Sequence, residues 1–326
     1  MERISLGNTV FEGENNVYLL DGDTVALVDT GIATPDVRAD LSEGLSAYGL
    51  SFADVDELFL THWHHDHAGL AGAVQAESDA TVYVHEADAP MVAGESDAVD
   101  RFHALQNRKF DEWGIPEDPR AELEAYLEHH GDLGGQPADV TVVDDGDTFE
   151  LGGLTLTAVH LPGHAAGLTA YLVDDGSEAF VGDAILPKYT PNVGGADVRV
   201  DRPLERYVES LGRLVDLDLD RAYPGHRDPI DDPTGRALTI LDHHRERTRR
   251  VVDVLAEHGP CDAWTVSAHL FGDLEEIHIL HGPGEAYAHL DHLAAAGVVE
   301  HIDEGYALAD PEVDVAALFP DRGRPN

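Results

Sequence analysis

Cysteine is all but absent from this chain: Cys261 stands alone, so no intrachain disulfide can form. Lysine is nearly as scarce. Lys109 and Lys188 are the two lysines, and the other 18 basic residues are arginines. Long apolar runs are missing too. None approaches the roughly 20 residues that span a bilayer, which excludes a helical membrane span. The opening residues show no basic start followed by an apolar stretch, so no export signal is expected and the expected location is the cytoplasm. At 326 residues the chain can bury a sizeable core, as one large domain or two.

Acid, by contrast, is abundant. Sixty-four acidic residues against 20 basic ones leave a formal net charge of −44. The acids are spread along the whole chain, which argues against a disordered acidic tail and against an acidic face made for one basic partner. Self-repulsion on this scale opposes compaction in dilute buffer, while in molar salt the Debye length shrinks to about 3 Å. The composition therefore reads as adaptation to a salt-rich, halophilic cytoplasm and carries no information about substrate.

Strands dominate the first part. Asn16 to Leu20 and Thr24 to Asp29 are short β-rich runs joined by Asp21-Gly22-Asp23, a hairpin signal. Residues 35–49 have helical periodicity, with Val37, Leu41, Leu45 and Tyr48 on one face. Strands follow at 57–61 and 81–85, and again at 140–143, 155–159, 170–173, 179–182 and 221–223. The two groups, 1–86 and 140–226, predict two β-rich halves packed face to face with helices outside. Between them, 95–135 reads as a charged helical insertion anchored by Phe102, Leu105, Phe110 and Trp113, either a cap over a site or a surface hairpin. From about Pro233 helices take over, at 236–258, 263–271 and 284–296, followed by a hairpin over 298–309. Three helices and a hairpin are the parts of a winged helix. The predicted division is a catalytic domain over 1–232, with the insertion, and a winged-helix-like domain over 233–326.

The chemistry concentrates after strands. His62-Trp63-His64-His65-Asp66-His67 lies directly beyond the strand ending at Thr61. Imidazole and carboxylate are common zinc ligands, and a loop at a strand's end brings such side chains to one centre. With 20 histidines in the chain, a surface cluster is the competing reading. Three later segments count against it. His164 in Leu161-Pro162-Gly163-His164, Asp183 in Val181-Gly182-Asp183, and His226 in Tyr223-Pro224-Gly225-His226 each follow a strand beside a glycine that lets the backbone bend.

The order HxHxDH, then PGH, GD and a second PGH, resembles that of the metallo-β-lactamase superfamily over about the first 230 residues. The resemblance implies an α/β fold, a four-layer αββα sandwich with two metal ions at one edge. It implies that His62, His64 and His164 hold the first metal, that Asp66, His67 and His226 hold the second, and that Asp183 bridges them. Asp29, in Val28-Asp29-Thr30-Gly31, matches the early aspartate that supports the ligand loop from behind. Two such cations share and acidify a water, so a bridging hydroxide is the expected nucleophile, with Asp66 as the catalytic residue that positions it and takes its proton. Two zinc ions suit the imidazole-rich set; iron or manganese would tolerate it.

Antibiotic hydrolysis is disfavoured, because export and a ligand cysteine are both missing. A flavin-linked diiron oxidoreductase is disfavoured by His64, where those proteins carry Glu. The expected function is hydrolysis of a small-molecule ester or thioester, as in glyoxalase II-like enzymes. The alternatives are a phosphodiesterase or endoribonuclease, a sulfur dioxygenase-like enzyme with one iron, and a non-catalytic regulator. Nucleic acid is disfavoured by charge: residues 284–296 contain no Arg or Lys, and Arg245, Arg247, Arg249 and Arg250 read as partners of nearby acids. Lys188 and Arg199, past Asp183, are the candidates for binding a substrate anion. Homo-oligomerisation stays open.

Overall fold

The computed structural model describes residues 1–8, 13–129, 131–303 and 305–321. Among these residues, one sheet contains β1 (Glu2–Leu6), β2 (Asn15–Asp21), β3 (Val25–Val28), β4 (Glu57–Phe59), β5 (Thr81–His85) and β6 (Val140–Val143), in that order across the sheet. The first two pairings are antiparallel and the rest parallel. A second sheet holds β7 (Thr148–Glu150), β8 (Thr155–His160), β9 (Thr169–Val173), β10 (Glu178–Gly182) and β11 (Arg221–Pro224), ordered β11-β10-β9-β8-β7. Within it β10 and β11 are parallel, and the other pairs are antiparallel.

Alternation along the strands explains the layering. Tyr18, Leu20, Ala26, Val28 and Phe59 of the first sheet face Leu156, Ala158, Tyr171 and Phe180 of the second, forming the core between the sheets. Its aromatic pairs, such as Phe59–Tyr171 at 5.3 Å and Tyr18–Phe180 at 5.1 Å, each add about 0.5–1.5 kcal/mol beyond area burial. Behind the first sheet lie the helices α1 (Pro35–Ser46), α2 (His65–Ala68) and α3 (Ala71–Ser78). In α1, capped by the Thr34 hydroxyl, Val37, Leu41 and Leu45 are buried as their spacing predicts. Tyr48 departs from expectation: it lies past the helix end, exposed, and donates a hydrogen bond to Glu2.

A short turn α4 (Ala89–Val92) precedes the insertion, which forms two helices, α5 (Ser96–Glu112) and α6 (Glu117–His129). Behind the second sheet lie α7 (Pro203–Leu217), α8 (Pro233–His258), α9 (Ala263–Phe271) and α10 (His278–Ala295), then a hairpin of β12 (Val299–Ile302) and β13 (Gly305–Leu308). One continuous core joins β8, β9 and β10 to α7, α8 and α10. Helices, sheet, sheet, helices: the α/β metallo-β-lactamase arrangement that the motifs led us to expect is present.

Three expectations need correcting. Strand β6, grouped by sequence with the second half, pairs with β5 in the first sheet. Helix α10 begins six residues before the expected Gly284 and continues through Pro283. Helix α7 was not anticipated, although Leu204, Tyr207, Val208, Leu211 and Leu214 bury one face at helical spacing. The insertion packs inward: Phe110 and Trp113 are buried, Trp113 stacks near Tyr287 of α10, and Phe102 meets Trp63 at 5.2 Å. No helix among the described residues is long and apolar enough to cross a membrane.

Candidate metal centre

All the strands that precede candidate ligands end at one edge of the two sheets, and buried hydroxyls lock those ends together. Tyr18 on β2 donates to the carbonyl of Pro224, just before His226, at 2.7 Å. Tyr171 on β9 donates to Leu60, just before His62, at 3.0 Å. Tyr207 on α7 donates to Ala184, just after Asp183, at 2.8 Å. The HxHxDH segment is not the plain loop that was expected: it is irregular, with bends, through His64 and then makes the helical turn α2. This change of geometry spreads its candidate ligands over two neighbouring sets. From the irregular part, His62 and His64 meet His164, whereas Asp66 and His67 on the turn meet His226, and His62 and His67 also converge with Asp183 between them.

Protonation can be deduced from what each imidazole touches on its far side. His164 Nδ1 lies 2.9 Å from the carbonyl of Asn192, and His64 Nε2 lies 3.2 Å from the carbonyl of Ala196. A carbonyl can only accept, so both nitrogens donate. The Thr61 hydroxyl gives its proton to Asp29, at 2.8 Å, and is left to accept from His62 Nδ1 at 3.1 Å. The opposite nitrogen of each ring turns inward, and in a neutral imidazole it is a bare lone pair. These nitrogens face each other: His62 Nε2 is 2.9 Å and His164 Nε2 is 3.1 Å from His64 Nδ1. Three converging acceptors in a buried site repel one another unless a cation sits among them. Burial first, and the neighbouring His164 second, push His64 down to about 3, which disfavours a proton on that ring.

The second set is built the same way and adds charge. His67 Nδ1 donates to Asp29 at 2.9 Å and His226 Nδ1 to the Gly13 carbonyl at 2.7 Å. Their Nε2 atoms, buried and unpartnered, face carboxylates. His226 Nε2 is 3.3 Å from Asp66 Oδ2 and 3.5 Å from Asp183 Oδ2; His67 Nε2 is 3.6 Å from Asp183 Oδ1. Burial disfavours a charged His67, but Asp183, Asp66 and Asp29 outweigh it and push its pKa up to about 10. Metal or proton, this half demands positive charge.

A pH prediction follows for protein stripped by chelator. His67 has a raised folded-state pKa, so its stabilising contribution is complete below about pH 6.5 and is lost as pH rises through about 10. The melting temperature of stripped protein is expected to fall across that window, while metal-loaded protein, holding no such proton, shows no matching fall. Parallel melting curves from pH 6 to 10 would refute it.

Asp29 lies behind the HxHxDH segment. It accepts from the Thr61 amide at 2.8 Å as well as from His67, and has a left-handed backbone (φ 61°) unusual for a non-glycine residue. Two glycines beside the ligands serve close approach more than bending. A Cβ on Gly225 would lie 2.3 Å from His67 Cε1, and one on Gly163 would lie 2.5 Å from Tyr207. His65, inside the motif, joins neither set.

The two substrate candidates differ. Arg199 is not free for an anion. Its guanidinium is held by Asp88 and Asp197 at 2.6 Å each and by the Ala87 carbonyl at 2.7 Å, beneath the Trp63 ring. Sequence reading missed those aspartates, both fully buried: Asp88 also takes the Trp63 amide, and Asp197 the Trp63 indole. Together they clamp the ligand loop. Lys188 is exposed and makes no ion pair among the described residues; its ammonium lies 5.1 Å from the Tyr189 ring. With Arg3, Asn16 and Arg227 it lines a surface cleft of about 310 Å³.

Comparison with known proteins agrees with this geometry. Residues 10–226 match the Metallo-beta-lactamase superfamily. The probable metallo-hydrolase YqjP of Bacillus subtilis is 28% identical, across 90% of this chain and 92% of its own. The crystal structure of a metallo-beta-lactamase family protein from Thermus thermophilus has a TM-score of 0.81 at 32% identity, covering 94% of this chain and 97% of that one. Thioesterase pkgB of Emericella nidulans is 27% identical over 77% of this chain, matched to 57% of its length. Buried acceptors that require a cation, in a family of hydrolases, lead to one conclusion: the chain belongs to the metallo-β-lactamase superfamily and is a metal-dependent hydrolase.

Proposed function

We propose that the protein is a dinuclear hydrolase of small-molecule esters or thioesters, with His62, His64 and His164 as one ligand set, Asp66, His67 and His226 as the other, and Asp183 shared. The observation that carries this reading is the position of Asp183. Its Oδ2 lies 3.8 Å from His164 Nε2 in one set and 3.5 Å from His226 Nε2 in the other. Two zinc ions fit seven nitrogen and oxygen donors, and iron or manganese fit them next best. When bound, such a pair supplies a water of lowered pKa and polarises the scissile carbonyl. Asp66 borders that space and is the residue that orients the water and takes its proton. Its carboxylate is positioned by Asn15, whose amide donates to Oδ2 at 3.4 Å. A relative that carries the name thioesterase supports the thioester arm.

The test is a panel of acyl thioesters, carboxylic esters, phosphodiesters and RNA, offered in molar salt to protein of measured metal content. Thioester or ester turnover with two metals per chain is the expected result. Turnover of RNA or phosphodiesters alone would overturn the substrate class, and one iron with oxygen uptake would overturn the hydrolytic reading.

As the anchor for an anionic group of the substrate we propose Lys188, an exposed cation five positions past Asp183. In a chain this acidic, an unpaired ammonium on the Pro187–Tyr189 segment suits a substrate carboxylate or phosphate. Lys188→Ala is expected to raise KM for anionic substrates several-fold while leaving metal content and kcat for a small neutral ester unchanged. An unchanged KM across anionic substrates would return Lys188 to the plain surface.

The segment 233–326 we propose as a winged-helix-like domain appended to the catalytic domain, and as a support rather than a nucleic-acid reader. Helix α10, which would have to enter a groove, is largely buried, from Ile279 to Leu293. The arginines of α8 are engaged: Arg245 by Asp242, Arg247 by Glu285, Arg249 by Glu246 and Asp253, and Arg250 by the Leu270 carbonyl. Little positive charge is left to meet phosphates.

A further inference from the structure

Two glycine-containing segments of the sequence are not used by the ligand sets, and the structure interlocks them. They are Asn192-Val193-Gly194-Gly195-Ala196, after Asp183, and His281-Gly282-Pro283-Gly284-Glu285 on α10. Backbone meets backbone here. A Cβ on Gly284 would lie 2.3 Å from Gly195 Cα, and one on Gly194 would lie 2.5 Å from the Gly284 carbonyl. No side chain larger than hydrogen fits at these points.

This contact delivers a buried carboxylate to the loop. Glu285 is 4% exposed, and its Oε2 accepts from the Val193 amide at 3.2 Å and the Asn192 side chain at 3.3 Å. Its Oε1 is held by Arg247 at 2.7 Å, with His289 and His244 at 3.6 and 3.8 Å. Burial opposes the charge, and His289, Arg247 and His244 more than compensate, so the carboxyl stays ionised. Asn192 passes the restraint on. Its side-chain oxygen accepts from the amides of Gly195 at 3.1 Å and Ala196 at 2.8 Å, which closes the loop into a tight turn. The turn in turn presents two carbonyls, Asn192 to His164 Nδ1 and Ala196 to His64 Nε2.

We propose that Glu285 is a positioning residue for the metal centre: through Asn192 it fixes the loop carbonyls that hold His164 and His64 with their lone pairs turned inward. The C-terminal helices thereby set the geometry of one ligand set, and the other has a different support in Asp29 and the Gly13 carbonyl. The inference rests on the assignment of His64 and His164 as ligands. Glu285, His244 and His289 also converge as three donors. Oε1 already carries the Arg247 guanidinium at 2.7 Å, so the cluster holds a cation of its own and serves as a brace.

The test is metal titration of the full chain with cobalt(II) in competition with a chromophoric chelator, reading both affinities and the visible spectrum. Glu285→Gln puts an amide donor among donors. It is expected to weaken the site of His62, His64 and His164 by about 10- to 100-fold, the range for losing an outer-shell partner, and to shift its spectrum, while the other site keeps its affinity. Asn192→Ala cuts the link but keeps the Arg247–Glu285 pair, and is expected to show the same one-sided loss even if Glu285→Gln does not fold. Wild-type affinities in Asn192→Ala, or equal weakening of both sites, would overturn the proposal. So would a third cobalt per chain that disappears with Glu285→Gln. His164→Ala separates the two readings: if it binds both metals as the wild type does, the ligand assignment itself has failed.

Discussion

Replacing Asp183 with alanine is expected to abolish hydrolysis and to reduce metal content at both sites, a larger loss than the about 10- to 100-fold typical of losing an outer-shell partner. Among the described residues, no other carboxylate reaches both ligand sets. Oδ1 faces His67, and Oδ2 faces His164 and His226. Its charge also matters, because Asp66 and Asp183 are the two carboxylates that lie against the inward nitrogens of the histidine sets. Removing a ligand such as His64 should deplete one site and leave the other largely loaded, since the second set's distances do not depend on it. The variant is expected to remain folded, as Asp183 contributes to the metal site and not to the apolar core. The measurement is metal stoichiometry by mass spectrometry alongside turnover on the best substrate of the panel. Two metals retained with activity near wild type would remove Asp183 from the site.

What could be read from the sequence was local chemistry; what could not was partnership across the fold. The residues that converge in the fold were legible because each follows a β-rich run, and because histidines spaced by two, with Asp and His adjacent, occur together in one short segment. Val140–Val143 was legible as a strand, but periodicity says nothing about which sheet receives it, and β5 claimed it across the insertion. The start of α10 was misplaced because proline normally breaks a helix, yet here Pro283 is carried inside one. Arg199 looked like a free cation in a short glycine-rich stretch. Its partner Asp88 is more than a hundred positions away, and nothing in a single sequence joins them. Helix α7 is the reverse case: its apolar spacing was visible, and the Tyr207 it carries braces both Gly163 and Ala184 beside two ligands. The carbonyls of Asn192, Ala196 and Gly13 had no signal at all, because backbone contacts leave no mark on residue type.

Lowering the salt concentration well below molar is expected to unfold the protein, without any mutation. With a net charge of −44, the acids outnumber the basic residues by more than three to one. Two like charges 10 Å apart in water repel by about 0.4 kcal/mol, and many such pairs together reach the net stability of a domain, roughly 5–15 kcal/mol. In molar salt, screening over about 3 Å removes most of that cost, whereas at 0.01 M it reaches about 30 Å and every acid feels its neighbours. The arginines offset little of it. On α8, Arg245 and Arg249 pair with acids on their own helix, Asp242 for the first and Glu246 and Asp253 for the second, and exposed pairs of that kind contribute about 0–1 kcal/mol each. The core between the sheets and the larger one behind the second sheet are apolar, so they cannot respond to ionic strength except through this repulsion. Dialysis from molar to about 0.01 M chloride, followed by circular dichroism and tryptophan fluorescence, is expected to show cooperative loss of structure, recoverable by adding chloride back. A neutral osmolyte raises stability by exclusion from the surface without screening charge, and is expected to restore structure less effectively than chloride. Identical melting curves at both salt concentrations would mean that the acids do not oppose folding, and would return them to a role in recognition.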